Sequence, residues 1–218
     1  MKRLLLLTGS CLTLLVIAPT RAADKPEADP MGLKTDAEYF PLKLGTTWTY
    51  KEKTSKKSFV VKVVKYQDLT IKKDGKEMKL RCARLDTTEQ GKKEAATNEL
   101  VTVMDDGIYR CKLADQLVDP PARIVPLTFD KDNKEWNVSS KVGNKSLKVH
   151  FTADAQEVTV PAGKYEAALQ LKSSDYQVDK EEIQATVWYA KNVGMVKLDM
   201  KVNGVAMVLE LEEFKAGE

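Results

Sequence analysis

Residues able to move protons, attack carbon or hold a metal are few in this chain. His150 is the single histidine, so a multi-histidine metal centre cannot be assembled, and a histidine-based triad would have to be built on this one residue. It stands between Val149 and Phe151 in an alternating run, which places it on the polar side of a strand. Of the three cysteines, Cys11 falls in an apolar N-terminal run, leaving Cys82 and Cys111. Export to an oxidising compartment would favour a disulfide between them. Against it, residues 78–86, 97–104 and 107–113 read as consecutive strands, and next-nearest strands stand about 9–10 Å apart, beyond the roughly 7 Å a bridge tolerates between Cα atoms. A disulfide and a pair of small buried hydrophobes both remain open readings. A catalytic thiol would need a neighbouring base that the sequence does not supply.

The run Asp130-Lys-Asp132-Asn133-Lys-Glu135 has calcium-loop flavour, but Lys134 replaces an acceptor and the turn glycine is missing. It reads as a charged hairpin insertion, and no metal or cofactor is expected. Asn137-Val-Ser139 and Asn144-Lys-Ser146 match the glycosylation pattern, which matters only in a host with that machinery. The aromatics are more telling. Trp48 and Tyr50 share one strand face, Trp136 falls 88 positions after Trp48, and Trp188 precedes a turn at Asn192 to Gly194. Trp48, Tyr50, Trp136 and Trp188 either fill a barrel interior or line an apolar cavity open at one end.

The elements that must position these residues are strands. Tyr165, Ala167, Leu169 and Leu171 alternate with Glu166, Ala168, Gln170 and Lys172. Leu147, Val149 and Phe151 alternate with Lys148, His150 and Thr152. This period of two is that of antiparallel sheet with one buried side. Turn residues separate the runs: Asp74-Gly75, Gln90-Gly91, Asp106-Gly107, Pro161-Ala-Gly163 and Asn203-Gly204. Convincing helical periodicity is absent. The expected class is all-β, an antiparallel meander of about ten strands forming one barrel or half-barrel.

Apolar positions and turn glycines also recur. Trp48 and Trp136, Phe59 and Leu147, Val61 and Val149, and Gly75 and Gly163 are each 88 apart, and Gly107 and Gly194 are 87 apart. Pro41-Leu42 matches Pro126-Leu127. The pattern predicts two related halves, 39–115 and 122–214, each burying its apolar face against the other. By the same alignment Cys82 and Cys111 take the positions of Leu171 and Leu198 on the buried face.

The chain begins with the three parts of an export signal: Lys2 and Arg3, an apolar stretch from Leu4 to Ala18, and a small-residue exit at Thr20-Arg-Ala-Ala23. Residues 1–22 are read as a signal peptide, 23–38 as a flexible leader and 215–218 as a frayed tail. A lipidated reading would have to use Cys11, past which the apolar run continues. The whole chain carries 35 basic and 32 acidic residues. The signal contributes Lys2, Arg3 and Arg21 and no acids, so the mature chain is electrically balanced. That removes the usual electrostatic case for nucleic acid or an anionic membrane surface. No later segment is continuously apolar, so no transmembrane segment is expected.

Taken in order, Tyr39-Phe-Pro-Leu-x-x-Gly-x-x-Trp-x-Tyr50, Asp106-Gly-Ile-Tyr-Arg110, Pro120-Pro121 with Val125-Pro-Leu127, Val158-Thr-Val-Pro-Ala-Gly-Lys-Tyr165 and Trp188-Tyr-Ala-x-x-x-Gly-Met-Val196 resemble a family of uncharacterised exported bacterial β proteins, a domain of unknown function. More distantly the chain is similar in fold to the curved-sheet lipoprotein carriers of the cell envelope. The resemblance implies export to the periplasm or beyond and supplies no catalytic residues. The expected function is that of a non-enzymatic envelope protein binding an apolar ligand or lipid in a curved sheet. The alternative is a structural or protein-interaction module with a filled barrel, its protein partners unknown.

Overall fold

The computed structural model describes residues 33–73, 76–129 and 134–218. The signal peptide, residues 23–32 of the leader, the Asp74-Gly75 turn and the insertion at 130–133 lie outside the described residues. Twelve strands follow one another as an antiparallel meander: β1 (Thr47–Glu52), β2 (Ser58–Lys73), β3 (Lys76–Glu89), β4 (Thr97–Met104), β5 (Gly107–Leu113), β6 (Gln116–Pro126), β7 (Glu135–Val142), β8 (Lys145–Val160), β9 (Gly163–Val178), β10 (Glu181–Ala190), β11 (Gly194–Val202) and β12 (Val205–Lys215). Each strand pairs with its sequence neighbours, and β1 pairs with β12 through Trp48↔Phe214 and Tyr50↔Leu211, so the sheet closes into a barrel. Of the two expected shapes, barrel and half-barrel, the closed one is found, with twelve strands instead of about ten. Closure removes both free edges of the sheet.

Strand lengths run 6, 16, 14, 8, 7 and 11 residues in β1 to β6, and 8, 16, 16, 10, 9 and 11 in β7 to β12. The second and third strands of each set outreach their neighbours. β2 pairs with β1 only up to Lys62, and β3 with β4 only from Ala83 onward, so residues 65–82 form a two-stranded ribbon. β8 pairs with β7 only to Thr152, and β9 with β10 only from Leu169, leaving a second ribbon over 153–168. This second ribbon closes over the barrel. Val158, Val160 and Ala168 are buried in the main core, and Ala162 N–H donates to Leu211 O of β12 at 2.9 Å.

The first ribbon does something else. Ala83 and Leu85 belong to the main core, so Cys82 and Leu80, one position out of phase, face the opposite side of the sheet. There Ile71, Leu80 and Cys82 of the ribbon meet Leu100 of β4 and Cys111 of β5 in a second buried cluster. Period-two reasoning correctly made both cysteines buried, but in this outer cluster and not beside the counterparts of Leu171.

Both ends of the domain are more ordered than the sequence suggests. Ala37 is buried in the main core, Leu33 packs against it, and Leu42 N–H donates to Thr35 O at 2.6 Å. The last residues of the leader are therefore docked, not flexible. The tail is docked as well: Gly217 N–H donates to Thr46 Oγ1 at 3.1 Å and Glu218 N–H to Leu44 O at 3.2 Å. A side chain at 217 would collide with the Leu44 carbonyl, its Cβ falling 2.1 Å from that oxygen. Only glycine lets the two chains run so close.

Candidate ligand pocket in the barrel lumen

β4 and β5 carry an ion pair into the lumen. Val101 and Ile108 are core residues, and Glu99 and Arg110 lie two positions from them on the same faces. Arg110 Nε donates to Glu99 Oε2 at 2.7 Å. The two side chains keep 30% and 20% exposure although they lie inside the barrel wall, because the surface they leave open faces the lumen. Glu99 beside it holds the Arg110 guanidinium up, against the opposing pull of burial.

Tyrosines surround this pair. Tyr176 and Tyr189 lie within electrostatic reach of Arg110, and Tyr50 lies within reach of Glu99, Tyr165 and Tyr189. Burial pushes the hydroxyls of Tyr50, Tyr165 and Tyr189 well up, so all are neutral donors near neutral pH. Tyr50 spends its hydroxyl on Met195 O at 2.9 Å. The hydroxyls of Tyr165, Tyr176 and Tyr189 have no hydrogen-bond partner among the described residues, and neither do the Nη groups of Arg110. None of these atoms is sealed off: among the described residues no fully buried side-chain nitrogen or oxygen lacks a partner. They border open space.

Arg110 and Tyr176 form the polar end of a cavity of about 80 Å³, and Leu113, Val142, Leu147, Val149 and Phe151 form much of its apolar wall. Leu113, 40% exposed, stands at the rim beside the β5–β6 turn. The register makes this possible: β6 and β7 are paired only at Val118↔Val142 and Asp119↔Lys141, so the wall parts there.

The four aromatics singled out from sequence do not line this space. Trp48 is 2% exposed; its indole donates to Val193 O at 2.5 Å and it packs against Phe40 and Phe214 at 5.8 and 6.1 Å. It plugs the far end of the barrel. Tyr50 is buried above it. Trp136 sits one layer behind the pocket wall, 5.1 Å from Phe151, with its indole donating to Arg123 O at 3.2 Å and the Arg123 guanidinium 4.9 Å from its ring. Trp188 lies under the Lys197 ammonium, 5.1 Å from its ring centre. These side chains fill and brace. Arg110, Glu99 and Tyr176 were not singled out from the sequence, and the only sequence signal for them is a charge or a tyrosine at an inward position of a strand.

Cys82 and Cys111 are both free thiols. They interact directly, and that interaction together with burial raises the Cys111 thiol far above its ordinary value. Both lie in the one outer cluster with Leu100 of the intervening strand. His150 bonds Asn137 Oδ1 through Nδ1 at 3.0 Å on the outer surface. Among the described residues no group of three or more His, Cys, Asp or Glu side chains is placed to hold a metal, and no helix is long and apolar enough to cross a membrane. Outward positions of β7, Glu135, Asn137, Ser139 and Lys141, are exposed and polar, unlike the apolar band a membrane barrel shows to lipid.

A larger groove of about 550 Å³ lies outside the barrel, between the first ribbon (Ile71, Met78), the β4–β5 turn (Asp105, Asp106) and Asp119-Pro120 of β6. Its walls hold no convergent set of unpaired donors. Tyr109 donates to Asp106 Oδ1 at 2.8 Å and Arg123 pairs with Asp106 Oδ2 at 3.0 Å.

No family model matches the chain, and no curated protein does. Among solved structures, a chain from Parabacteroides distasonis ATCC 8503 described as a "putative lipoprotein" aligns with it at 16% identity, covering 82% of this chain and 99% of that one with a TM-score of 0.48.

Proposed function

We propose that this protein is an exported, non-enzymatic barrel of the cell envelope that holds an apolar small molecule in its lumen. The observation that carries the reading is the apolar pocket inside a closed barrel, ending on Arg110 and Tyr176. Its apolar wall with a few placed polar groups has the chemistry of small-molecule sites, and at about 80 Å³ it is smaller than the roughly 300 Å³ or more of a drug-sized one, which limits it to a small or slender ligand. Export rests on the signal-like residues 1–22. The absence of catalysis rests on the lone, surface-bound His150 and on a Cys111 thiol whose pairing with Cys82 and burial favour its protonated state.

The test is to purify the protein from its native compartment and weigh it intact under native conditions. A co-purifying mass released on denaturation is expected, together with saturable displacement of a fluorescent fatty-acid probe. A protein that is always empty and never takes up the probe would remove the reading. It would leave the filled barrel acting as an interaction module, which the tightly packed Trp48 end favours.

A further inference from the structure

The lumen holds a surplus of hydrogen-bond donors. A guanidinium has five N–H donors and no acceptor. Arg110 spends its Nε–H on Glu99; the residue lines the cavity, and neither of its Nη groups has a partner among the described residues. The Tyr176 and Tyr189 hydroxyls are within electrostatic reach and unpartnered as well. The one carboxylate at hand, Glu99, has an oxygen already engaged. Donors that border a cavity and lack acceptors call for an acceptor-rich group, and the Nη edge of a guanidinium matches a carboxylate in bidentate geometry.

The rest of the cavity sets what such a group must be attached to. From Arg110 to the rim at Leu113 is three residues of strand, about 10 Å. The wall is largely aliphatic, with Val118, Val142, Leu147 and Val149, and it also holds Arg123, whose guanidinium is paired with Asp106 Oδ2 at 3.0 Å. A bulky ring system would not pass a cavity of about 80 Å³; a single aliphatic chain would.

We infer that the lumen selects an aliphatic monocarboxylate, with its head on the Nη edge of Arg110 and the hydroxyl of Tyr176 and its tail running toward Leu113. This rests on the reading of the barrel as a small-molecule binder and adds the chemical class of its ligand. Glu99 is a positioning residue here. It holds the Nε edge and so turns the Nη edge to the lumen.

The experiment measures binding of sodium octanoate and of 1-octanol to the exported full-length protein, by calorimetry, with palmitate as a longer probe. Octanoate is expected to bind roughly tenfold or more tighter than octanol, as hydrogen bonds to charged groups allow. Arg110→Met should erase that preference, octanoate then binding no tighter than octanol to the same variant, and Tyr176→Phe should reduce it several-fold. Should Arg110→Met fail to fold, Arg110→Lys and Tyr176→Phe decide, since Lys keeps the charge but loses the bidentate edge. Equal binding of octanoate and octanol, or an octanoate affinity indifferent to these substitutions, overturns the head-group assignment and leaves lumen binding standing. If none of the three probes binds, the lumen reading falls and the inference with it.

Discussion

Arg110 and Glu99 place a charged pair where most barrels of this kind would put leucine. Breaking one side leaves the other charge in the lumen without compensation, which for a buried pair costs about 3–5 kcal/mol. Both side chains keep some exposure to the cavity, so Arg110→Met or Glu99→Leu alone should cost less, about 2–3 kcal/mol. The double substitution Arg110→Met with Glu99→Leu should recover most of that loss, because it removes both desolvated charges and adds apolar packing. Urea melts of the four proteins form a double-mutant cycle. A double variant as unstable as the sum of the singles would show that the pair does not interact as placed. Trp48 belongs to the same scale with the opposite character. It has no unspent group, and Trp48→Ala should cost about 3–5 kcal/mol through the cavity it leaves.

At the level of elements, the turn between β1 and β2 depends on a carboxylate. Glu52, the last residue of β1, accepts hydrogen bonds from the Ser55 hydroxyl and from the backbone N–H groups of Thr54 and Ser55, and these hold its carboxyl down at about 2 against an ordinary 4.5. Because the folded value is depressed, the contribution is fully present above about pH 4.5 and is lost as pH falls toward 2. Glu52→Gln should lower stability at pH 7, where the contribution is fully present, and flatten the acid limb, so that the two proteins converge as pH falls toward 2; thermal melts across pH would reveal it. The two thiols of the outer cluster make a second element-level test. Treatment with oxidised glutathione should join Cys82 to Cys111 with loss of two hydrogens, which pass to the glutathione as two thiols. The bridge would tie the β2–β3 ribbon to β5 and add about 3–4 kcal/mol. Persisting free thiols after unfolding would show that the Cα atoms stand too far apart. Strands were legible because a half-buried strand writes its period directly into residues such as Leu147, Val149 and Phe151. The outer cluster was not, because Leu80, Cys82 and Ala83 are buried on both faces at once and break the alternation. Nor was the site, since nothing local distinguishes an inward Arg110 from the many lysines and arginines that point to solvent. Only closure of the barrel sets Arg110 opposite Tyr176.

For the whole molecule, closure leaves one weak seam. Every other neighbouring pair shares at least five register positions, whereas β6 and β7 share two, Val118↔Val142 and Asp119↔Lys141. The cause is in the sequence: Pro120 and Pro121 have no N–H to donate, so the ladder cannot continue past them. Side chains take over where the backbone stops. The Ser140 hydroxyl donates to Pro120 O at 2.5 Å, and the Trp136 indole donates to Arg123 O at 3.2 Å. Val118, Ala122, Val138 and Val142 along this seam also line the pocket, so the part of the wall with fewest backbone bonds is the part facing the cavity. Local opening follows the weakest cooperative contacts. Amides of β6 beyond Pro121 should therefore exchange with deuterium much faster than those of β8 and β9, whose ladder runs from Leu147↔Val178 to Val160↔Gly163. Ser140→Ala should speed exchange at the seam selectively, about tenfold for the loss of one hydrogen bond worth about 1 kcal/mol or slightly more. Uniform protection around the barrel, untouched by Ser140→Ala, would mean that stacking of the Arg123 guanidinium of β6 on the Trp136 ring of β7 holds the seam on its own. In that case Trp136→Phe, which removes the indole donor and keeps a ring, would leave the exchange pattern as it was.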